Sequence, residues 1–493
     1  MTNWKQIFKV LGLLLLVETG QLAVTTVVSL LYGEDITSFV IPTAITIVLG
    51  VIGMIVGRNA GNNMGRKDGY IIVSVVWVLF TLVGMLPFLI SGSIPDVAGA
   101  FFESMSGFTS TGATVLDRID SLPRGILFWR SISQWVGGIG IIFFTIAILP
   151  AFGVGEVKLF AAEATGPMRD KVHPRISVAA KWIGTVYLTL TVACIGCLIL
   201  CGMNVFDAVN ISMTTTATGG FAPHIAFFHE QFQSPMIEYV IAIFMLLSGM
   251  NYTLFFYSFM KGKFKRFFAD SELRTYIFIV MGVTVVCTAV LTIDRYINGN
   301  VMWDWNQLEL SFRESLFTII SMQTTTGFAC ADYTLWPSVL LPFVMLVMFV
   351  GACSGSTSGG FKCIRISILW HVLGTEIKRI LHPRAVLAVK MHGNVVSNQV
   401  QRTLLAFIFL FLVALFVGMF ILSLCGLNAV DAFAVAISSI SNVGPTINTY
   451  GPAHSYSDLI PLAKYTCSFL MLFGRLEIFP ILIIFTRAFW KKD

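Results

Sequence analysis

Four short stretches decide the fold: FTSTGAT (108–114), TTATGGF (215–221), QTTTGFA (323–329) and ISNVGPT (440–446). Each contains one glycine that aligns with the others, and these glycines recur about every 110 residues, at Gly112, Gly219, Gly327 and Gly444. Thr or Val precedes each glycine, at Thr111, Thr218, Thr326 and Val443. Self-similarity at such a long period indicates that one structural unit is used four times.

The chain around these stretches is too apolar to be water-soluble. Of its 493 residues, 56% are hydrophobic and 12% are charged, whereas soluble proteins carry about 25% charged residues. The composition excludes a nucleic-acid-binding domain, a disulfide scaffold and an ordinary cytosolic enzyme. Apolar stretches long enough to cross a bilayer lie at 7–32, 36–57, 70–91, 125–150, 176–203, 236–260, 274–293, 338–372, 403–426 and 459–489.

Eight of these ten crossings flank the four glycine stretches in pairs. A shorter helix is predicted before each stretch, at 96–109, 207–216, 311–324 and 431–441, with N-caps at Asp96, Asp207, Ser311 and Asp431. We therefore predict an all-α polytopic membrane protein with two leading transmembrane helices followed by four helix/pore-helix/helix repeats around one central pore. The predicted units are 1–69, 70–160, 161–268, 269–385 and 386–493.

Charge is distributed unevenly between the predicted loops. If the N-terminus is cytoplasmic, most of the 32 Lys and Arg residues fall on cytoplasmic segments, as the positive-inside rule expects. Both termini are therefore predicted to be cytoplasmic. Most acidic residues fall on the outer side, where they would either concentrate cations at a pore mouth or simply mark loops that lack basic residues.

The glycine stretches are predicted to line the pore. Irregular backbone at membrane depth is tolerated only where protein buries it or where it lines a water-filled cavity. Backbone carbonyls in stacked rings can replace the hydration shell of potassium, and the absence of carboxylates in the stretches disfavours a divalent cation. Close packing through small residues is the alternative. The predicted potassium ligands are Thr111, Gly112, Thr218, Gly219, Thr326, Gly327, Val443 and Gly444.

The second crossing of each repeat is predicted to be interrupted. The interruptions lie at Gly137, Gly138 and Gly140, at Gly249 and Asn251, at 351–362, and at Gly474 and Arg475. The stretch GACSGSTSGGFK (351–362) is the most extreme, because glycine and serine both lower helix propensity. It predicts an intramembrane gate loop built on Gly351, Gly355, Ser356, Gly359 and Gly360, with Lys362 and Arg365 at the inner mouth. A kinked helix packed through small residues is the alternative.

Arg475 is predicted to lie at membrane depth, where a charge is costly without a partner. It could form an electrostatic barrier, anchor the gate loop by donating to its carbonyls, or pair with Glu477, although residues two apart do not face each other on a helix. Glu18, in the first crossing, is predicted to make a helix-to-helix contact.

These motifs resemble a known family. The four glycine stretches, GACSGSTSGGFK (351–362) and FGRLEIF (473–479) resemble the Trk/Ktr superfamily of potassium uptake proteins. Its bacterial TrkH-type membrane subunits are similar in QWVGGIGIIFFTIAILP (134–150), LSGMNY (247–252) and HPRAV (382–386). The resemblance implies potassium uptake across the bacterial cytoplasmic (inner) membrane, gated by the loop and Arg475. It also implies a homodimer and a cytoplasmic TrkA-type regulatory ring, which would itself bind NAD or ATP/ADP.

The alternative functional classes are a secondary transporter and an enzyme. An ion-coupled secondary transporter, proton- or sodium-coupled, would also use broken helices, but it predicts inverted repeats. The four units here share one orientation by the charge pattern, and only Glu18 and Glu477 are placed as intramembrane carboxylates. An enzyme is not expected, because no metal-binding, nucleophile or phosphate-binding motif occurs in the sequence.

Overall fold

The protein is described by a computed structural model covering residues 2–61, 65–143, 176–225, 227–255, 258, 262, 264–298, 304–385, 387–391 and 394–491. Helices dominate these ranges, and the strands within them form one short antiparallel hairpin, Lys390–Met391 with Asn394–Val395. The predicted boundary between the first two repeats, at 160, lies outside the described residues.

Two helices, Trp4–Leu31 and Thr37–Val56, precede the repeats and pack against each other. Glycines permit this contact, because a Cβ atom on Gly12 would lie 2.7 Å from the carbonyl oxygen of Gly50. Small residues at such an interface let two transmembrane backbones approach closely.

The first helix of every repeat is long and apolar. These helices are Arg66–Gly84 with its short continuation Leu86–Ile90, then Ile176–Leu200, Ser271–Ile297 and Asn398–Leu424. Together with the two leading helices they give six candidate membrane spans by length and composition. They coincide with six of the ten predicted crossings, and the predicted all-α polytopic membrane fold is confirmed.

A shorter helix, called a half-helix below, precedes each glycine stretch. The half-helices are Val97–Phe108, Val205–Thr216, Trp305–Gln323 and Ala429–Ser441. Asp96 caps the first one as predicted, by accepting from the backbone of Ala98 and Gly99. The other three predicted caps are wrong.

Asparagines cap the second and fourth half-helices, three residues before the predicted aspartates. Asn204 Oδ1 accepts from the Asp207 backbone N–H at 2.9 Å, while the Asp207 carboxylate accepts from the Asn204 side chain. Asn428 and Asp431 form the same reciprocal pair. The aspartates therefore lie at the third helical position, where a carboxylate favours the positive helix end. The third half-helix begins earlier than predicted, at Trp305, so Ser311 lies inside it and accepts from Arg295.

Three of the four second helices are interrupted. Pro235–Ser248 is followed by Tyr252–Phe255, Leu341–Val350 by Cys363–Leu381, and Pro461–Arg475 by Phe479–Ile484. The first, Arg124–Phe143, is continuous through Gly137, Gly138 and Gly140, so the break predicted there is wrong. Gly137 serves close packing instead, because a Cβ atom on it would lie 2.0 Å from the carbonyl oxygen of Phe108. Short helices at Phe228–Phe232, Phe264–Ala269 and Arg487–Trp490 complete the fold.

Candidate functional site

The segment after each half-helix contains two residues of positive φ separated by one residue. The pairs are Ser110 and Gly112 (53° and 86°), Thr218 and Gly220 (51° and 81°), Thr325 and Gly327 (58° and 79°), and Asn442 and Gly444 (57° and 98°). The structure therefore aligns Gly220, and not Gly219, with the other three glycines. The prediction for the second repeat is wrong by one residue, because the tandem glycines left two alignments open. Gly219 takes the place of Thr111, Thr326 and Val443, and Thr218 lies one residue deeper.

The four aligned glycines close a ring. A Cβ atom on any of them would collide with a carbonyl oxygen of the next repeat, at 2.3 Å (Gly112 on Gly219), 2.0 Å (Gly220 on Thr326), 2.0 Å (Gly327 on Val443) and 2.7 Å (Gly444 on Thr111). Each glycine faces the residue that precedes the glycine of its neighbour. Only glycine combines this close approach with positive φ. The identical contact at four places gives four repeats in one orientation around a common axis.

A cavity of about 210 Å³ lies in front of the ring. Gly112, Gly220 and Gly327 form its floor together with Pro445, the residue after Gly444. Asp117 is the one carboxylate among its lining residues, which also include Arg130, His224 and His454.

Several of the acidic residues that the sequence predicts on the outer side have structural partners. Glu103, Glu238 and Glu314 each form an ion pair with an arginine, and Asp431 accepts from Asn428, Asn448 and Thr449. These partners account for the carboxylates without a cation at a pore mouth.

One ion pair lies directly behind the segments that leave the ring. Arg130 Nε is 2.9 Å from Glu103 Oε1, and both side chains are buried. Glu103 also accepts from the backbone of Val115 at 2.9 Å, while Arg130 donates to the Ala222 carbonyl at 3.0 Å. The pair thus fixes the outgoing segments of two repeats. Sequence reasoning missed it, although a carboxylate in an apolar half-helix is a usable signal.

The loop 351–362 lies against the other side of the ring. Thr357 Oγ1 donates to the carbonyl of Thr216, the last residue of its half-helix, at 3.0 Å. The Gly359 N–H donates to Thr325 Oγ1 at 2.7 Å, and a Cβ atom on Gly359 would lie 2.4 Å from the carbonyl oxygen of Ser441. The loop therefore touches the ends of three half-helices.

The internal conformation of this loop depends on its small residues. Gly351, Gly355 and Gly360 have φ of 70°, 75° and 76°, and Ser356 Oγ donates to the Cys353 carbonyl at 2.6 Å. Residues 351–362 form no helix, so the alternative of a kinked continuous helix is wrong. Glycine adopts positive φ without the steric cost that a side chain would add.

Arg475 holds the loop in place. Its guanidinium donates to the carbonyls of Thr357 and Gly137, each at 2.8 Å, and to Ser110 Oγ at 3.3 Å. The alternative of an Arg475–Glu477 ion pair is wrong, since Glu477 pairs with Arg365 at 2.7 Å. Among the three roles weighed for Arg475, the geometry matches that of an anchor.

Further charges lie at the two ends of the loop. Lys362 donates to the Ser358 carbonyl, and Arg365 stacks 3.8 Å from the centre of the Phe407 ring. Glu272, which the sequence did not single out, accepts from the Ser354 N–H. Lys362 and Arg365 are buried and partnered, and their place at an inner mouth stays a prediction.

Known proteins match the chain along its whole length. The sequence profile of the TrkH family, described as cation transport protein, matches residues 36–492. The Trk system potassium uptake protein TrkH of Escherichia coli (strain K12) is 36% identical over 99% of this chain and 100% of its own. TrkG of the same organism, also a Trk system potassium uptake protein, is 35% identical over 94% of both chains.

A solved structure matches equally well. The crystal structure of the potassium transporter TrkH from Vibrio parahaemolyticus has a TM-score of 0.89 at 34% identity, covering 99% of this chain and 100% of the other. Fold and sequence therefore agree on the same group of relatives.

Proposed function

The chain belongs to the TrkH family of cation transport proteins, and we propose that it is the potassium-conducting subunit of a bacterial uptake system. It is a multi-pass bacterial membrane protein, and the resemblance drawn from its motifs is confirmed. The observation that carries the proposal is the closed ring of four glycines, each against a carbonyl of the next repeat.

The ring is the proposed selectivity filter. Its proposed ligands are the backbone carbonyls of Thr111, Gly112, Gly219, Gly220, Thr326, Gly327 and Val443, with Thr218 one level deeper. The Gly444 carbonyl, a ligand predicted from the sequence, accepts instead from the hydroxyls of Ser438 at 2.8 Å and Tyr456 at 2.6 Å. None of these residues is charged, and carbonyl dipoles alone suit a monovalent ion that sheds its hydration shell easily. Potassium is the cargo that follows from this chemistry, as it is for the relatives named above.

The loop 351–362 is the proposed gate. It fills the space behind the ring and is held there by Arg475 and by contacts with three half-helices. A loop of this kind would have to leave its position before an ion could pass. Arg475 is therefore proposed to stabilise the closed state as an anchor.

A channel-like pathway is favoured over a secondary transporter. Inverted repeats are typical of transporters that bind substrate at broken helices, whereas the ring contacts here relate all four repeats by the same operation. We propose no catalytic activity for the chain.

Assembly is proposed from the family resemblance. We expect a homodimer in the inner membrane with cytoplasmic termini and a TrkA-type ring on the inner face, which would bind the regulatory nucleotide. The helix Cys363–Leu381 supports such a contact, because it leads away from the gate loop and ends in the basic residues Lys378 and Arg379.

The proposal predicts that Gly327→Ser weakens selectivity. A side chain at φ 79° would meet the Val443 carbonyl oxygen at 2.0 Å and displace a ring ligand. We expect the potassium-to-sodium permeability ratio of purified protein in liposomes to fall about tenfold, the equivalent of 1.4 kcal/mol. Gly282→Ser is the matched control, since a Cβ atom there meets nothing within 4 Å. Equal ratios for both variants and the wild type would contradict the filter assignment.

A further inference from the structure

The second repeat lacks side chains that two other repeats place beside the ring. In the first repeat the hydroxyls of Thr109 and Thr111 lie 2.8 Å apart, and in the third repeat those of Thr324 and Thr326 lie 2.8 Å apart. The equivalent positions in the second repeat are Ala217 and Gly219. This repeat also has tandem glycines, so its backbone is the least restrained of the four.

A side chain from another repeat occupies the vacant position. Gln134 projects from the helix Arg124–Phe143 and is fully buried. Its Nε2 donates to the Gly219 carbonyl at 2.6 Å, and its Oε1 accepts from the Phe221 N–H at 3.0 Å. A Cβ atom on Gly219 would lie 2.4 Å from Gln134 Oε1. The amide therefore fills the volume of the missing side chain and bridges the backbone on both sides of Gly220.

We propose that Gln134 is a specificity-determining positioning residue. It holds the second repeat in the ring geometry that the first and third repeats maintain with their own side chains. The inference rests on the proposed filter function. Gln134 does not face the ion itself. It acts through the Gly219 carbonyl, one of the proposed ligands.

The chemistry of an amide suits this task. One amide side chain offers both a donor and an acceptor, and a carbonyl oxygen has two lone pairs. The Gly219 oxygen can therefore accept from Gln134 and still face a cation. Fixing both the Gly219 carbonyl and the Phe221 N–H restrains the two peptide units around Gly220. Without this restraint the ring could contract around a smaller ion, so discrimination against sodium would fall.

The first experiment removes the hydrogen bonds and keeps most of the volume. Gln134→Met should lower the potassium-to-sodium permeability ratio in liposomes about tenfold, since it leaves a buried carbonyl and N–H unpaired. Ser131→Ala is the matched control on the same helix, because Ser131 donates only to Leu127 of its own helix at 3.2 Å. A merely structural role would lower the yield or the melting temperature of Gln134→Met and leave the ratio unchanged. That outcome would overturn the inference.

The second experiment tests the steric exchange between the two positions. Gly219→Ala alone should abolish selective uptake, because the new methyl group collides with Gln134. In Gln134→Ala/Gly219→Ala the collision is relieved, so the double variant should recover at least about fivefold in potassium uptake over Gly219→Ala. Additive losses would contradict a shared volume. The cycle remains informative if Gln134→Met folds poorly.

Gly327→Ser separates the two proposals. If it lowers the ratio and Gln134→Met does not, the filter assignment stands and the role of Gln134 is wrong. If neither variant changes the ratio, the filter assignment fails and the inference fails with it.

Discussion

His224 lies at the rim of the cavity in front of the ring, with a carboxylate beside each ring nitrogen. Nδ1 is 3.0 Å from Asp120 and Nε2 is 3.0 Å from Asp207. Only a doubly protonated imidazole donates from both nitrogens. The hydrogen bond to Asp207 is the main cause that raises the pKa of His224 above its ordinary value of 6.5, with Asp120 adding to it.

This geometry predicts a pH-dependent stability. Because the pKa of His224 is raised by folding, its contribution is fully present below pH 6.5 and is lost as the pH rises through the higher folded value. Between pH 6 and pH 9 the wild type should lose up to about 1 kcal/mol of unfolding free energy more than His224→Gln, since the site is partly exposed. Melting temperatures in detergent measure this difference. His454→Gln, at the same cavity, is the control, and an unchanged pH response in His224→Gln would refute the assignment.

Single residues also mark the limit of sequence reasoning. Gly112, Gly327 and Gly444 could be identified because each stands alone in its stretch and a carbonyl-lined pore requires glycine there. Gly219 and Gly220 could not be separated, since the sequence carries no record of which residue has positive φ. In the sequence, Gln134 is recognisable only as the first residue of the family motif at 134–150. Its role depends on a contact between residues 85 positions apart.

At the scale of elements, the loop 351–362 connects parts of the chain that sequence reasoning treated separately. The first half-helix is linked to it through Arg475, and the second contacts it through Thr357. The broken helix of the second repeat contacts it at Gly355, whose carbonyl accepts from the Tyr252 N–H at 3.1 Å. The run of glycine and serine predicted the loop itself. Its neighbours could not be predicted, because they come from all four repeats.

The loop is predicted to open more readily when its anchor is removed. Arg475→Ala deletes the donors to the Thr357 and Gly137 carbonyls, and loss of hydrogen bonds to a charged group costs about 1.5–3 kcal/mol. Potassium uptake per folded protein should rise about tenfold. Deleting residues between Gly355 and Gly360 should act in the same direction.

The matched control is Lys464→Ala, a basic residue of the same helix that lies 3.5 Å from Asp96. Uptake that falls to nothing in a folded Arg475→Ala protein would assign Arg475 to the conducting path or to the scaffold. The anchor role would then be wrong.

For the whole molecule, the charge pattern predicted the common orientation of the units, and the repeat period predicted their number. It could do so because every unit must place one irregular stretch at the same depth of the membrane. The caps of the second and fourth half-helices lie three residues before the predicted ones, since Asn and Asp both suit a helix start and only the local hydrogen bonds distinguish them. The continuity of the helix Arg124–Phe143 was not predicted, because glycine serves close packing as well as helix breaks.

The driving force for transport depends on the assembly of all four repeats. A ring built by one repeated contact offers ions a continuous path, and the buried carboxylate of Glu18 lies apart from it, in the first of the two leading helices. Potassium flux into liposomes should therefore follow the potassium gradient and the membrane potential, and a pH gradient alone should drive no uptake. Glu18→Gln removes the titratable carboxyl group and should leave this behaviour unchanged. Uptake against a potassium gradient at the expense of a pH gradient, abolished in Glu18→Gln, would instead establish proton coupling and contradict the channel-like pathway.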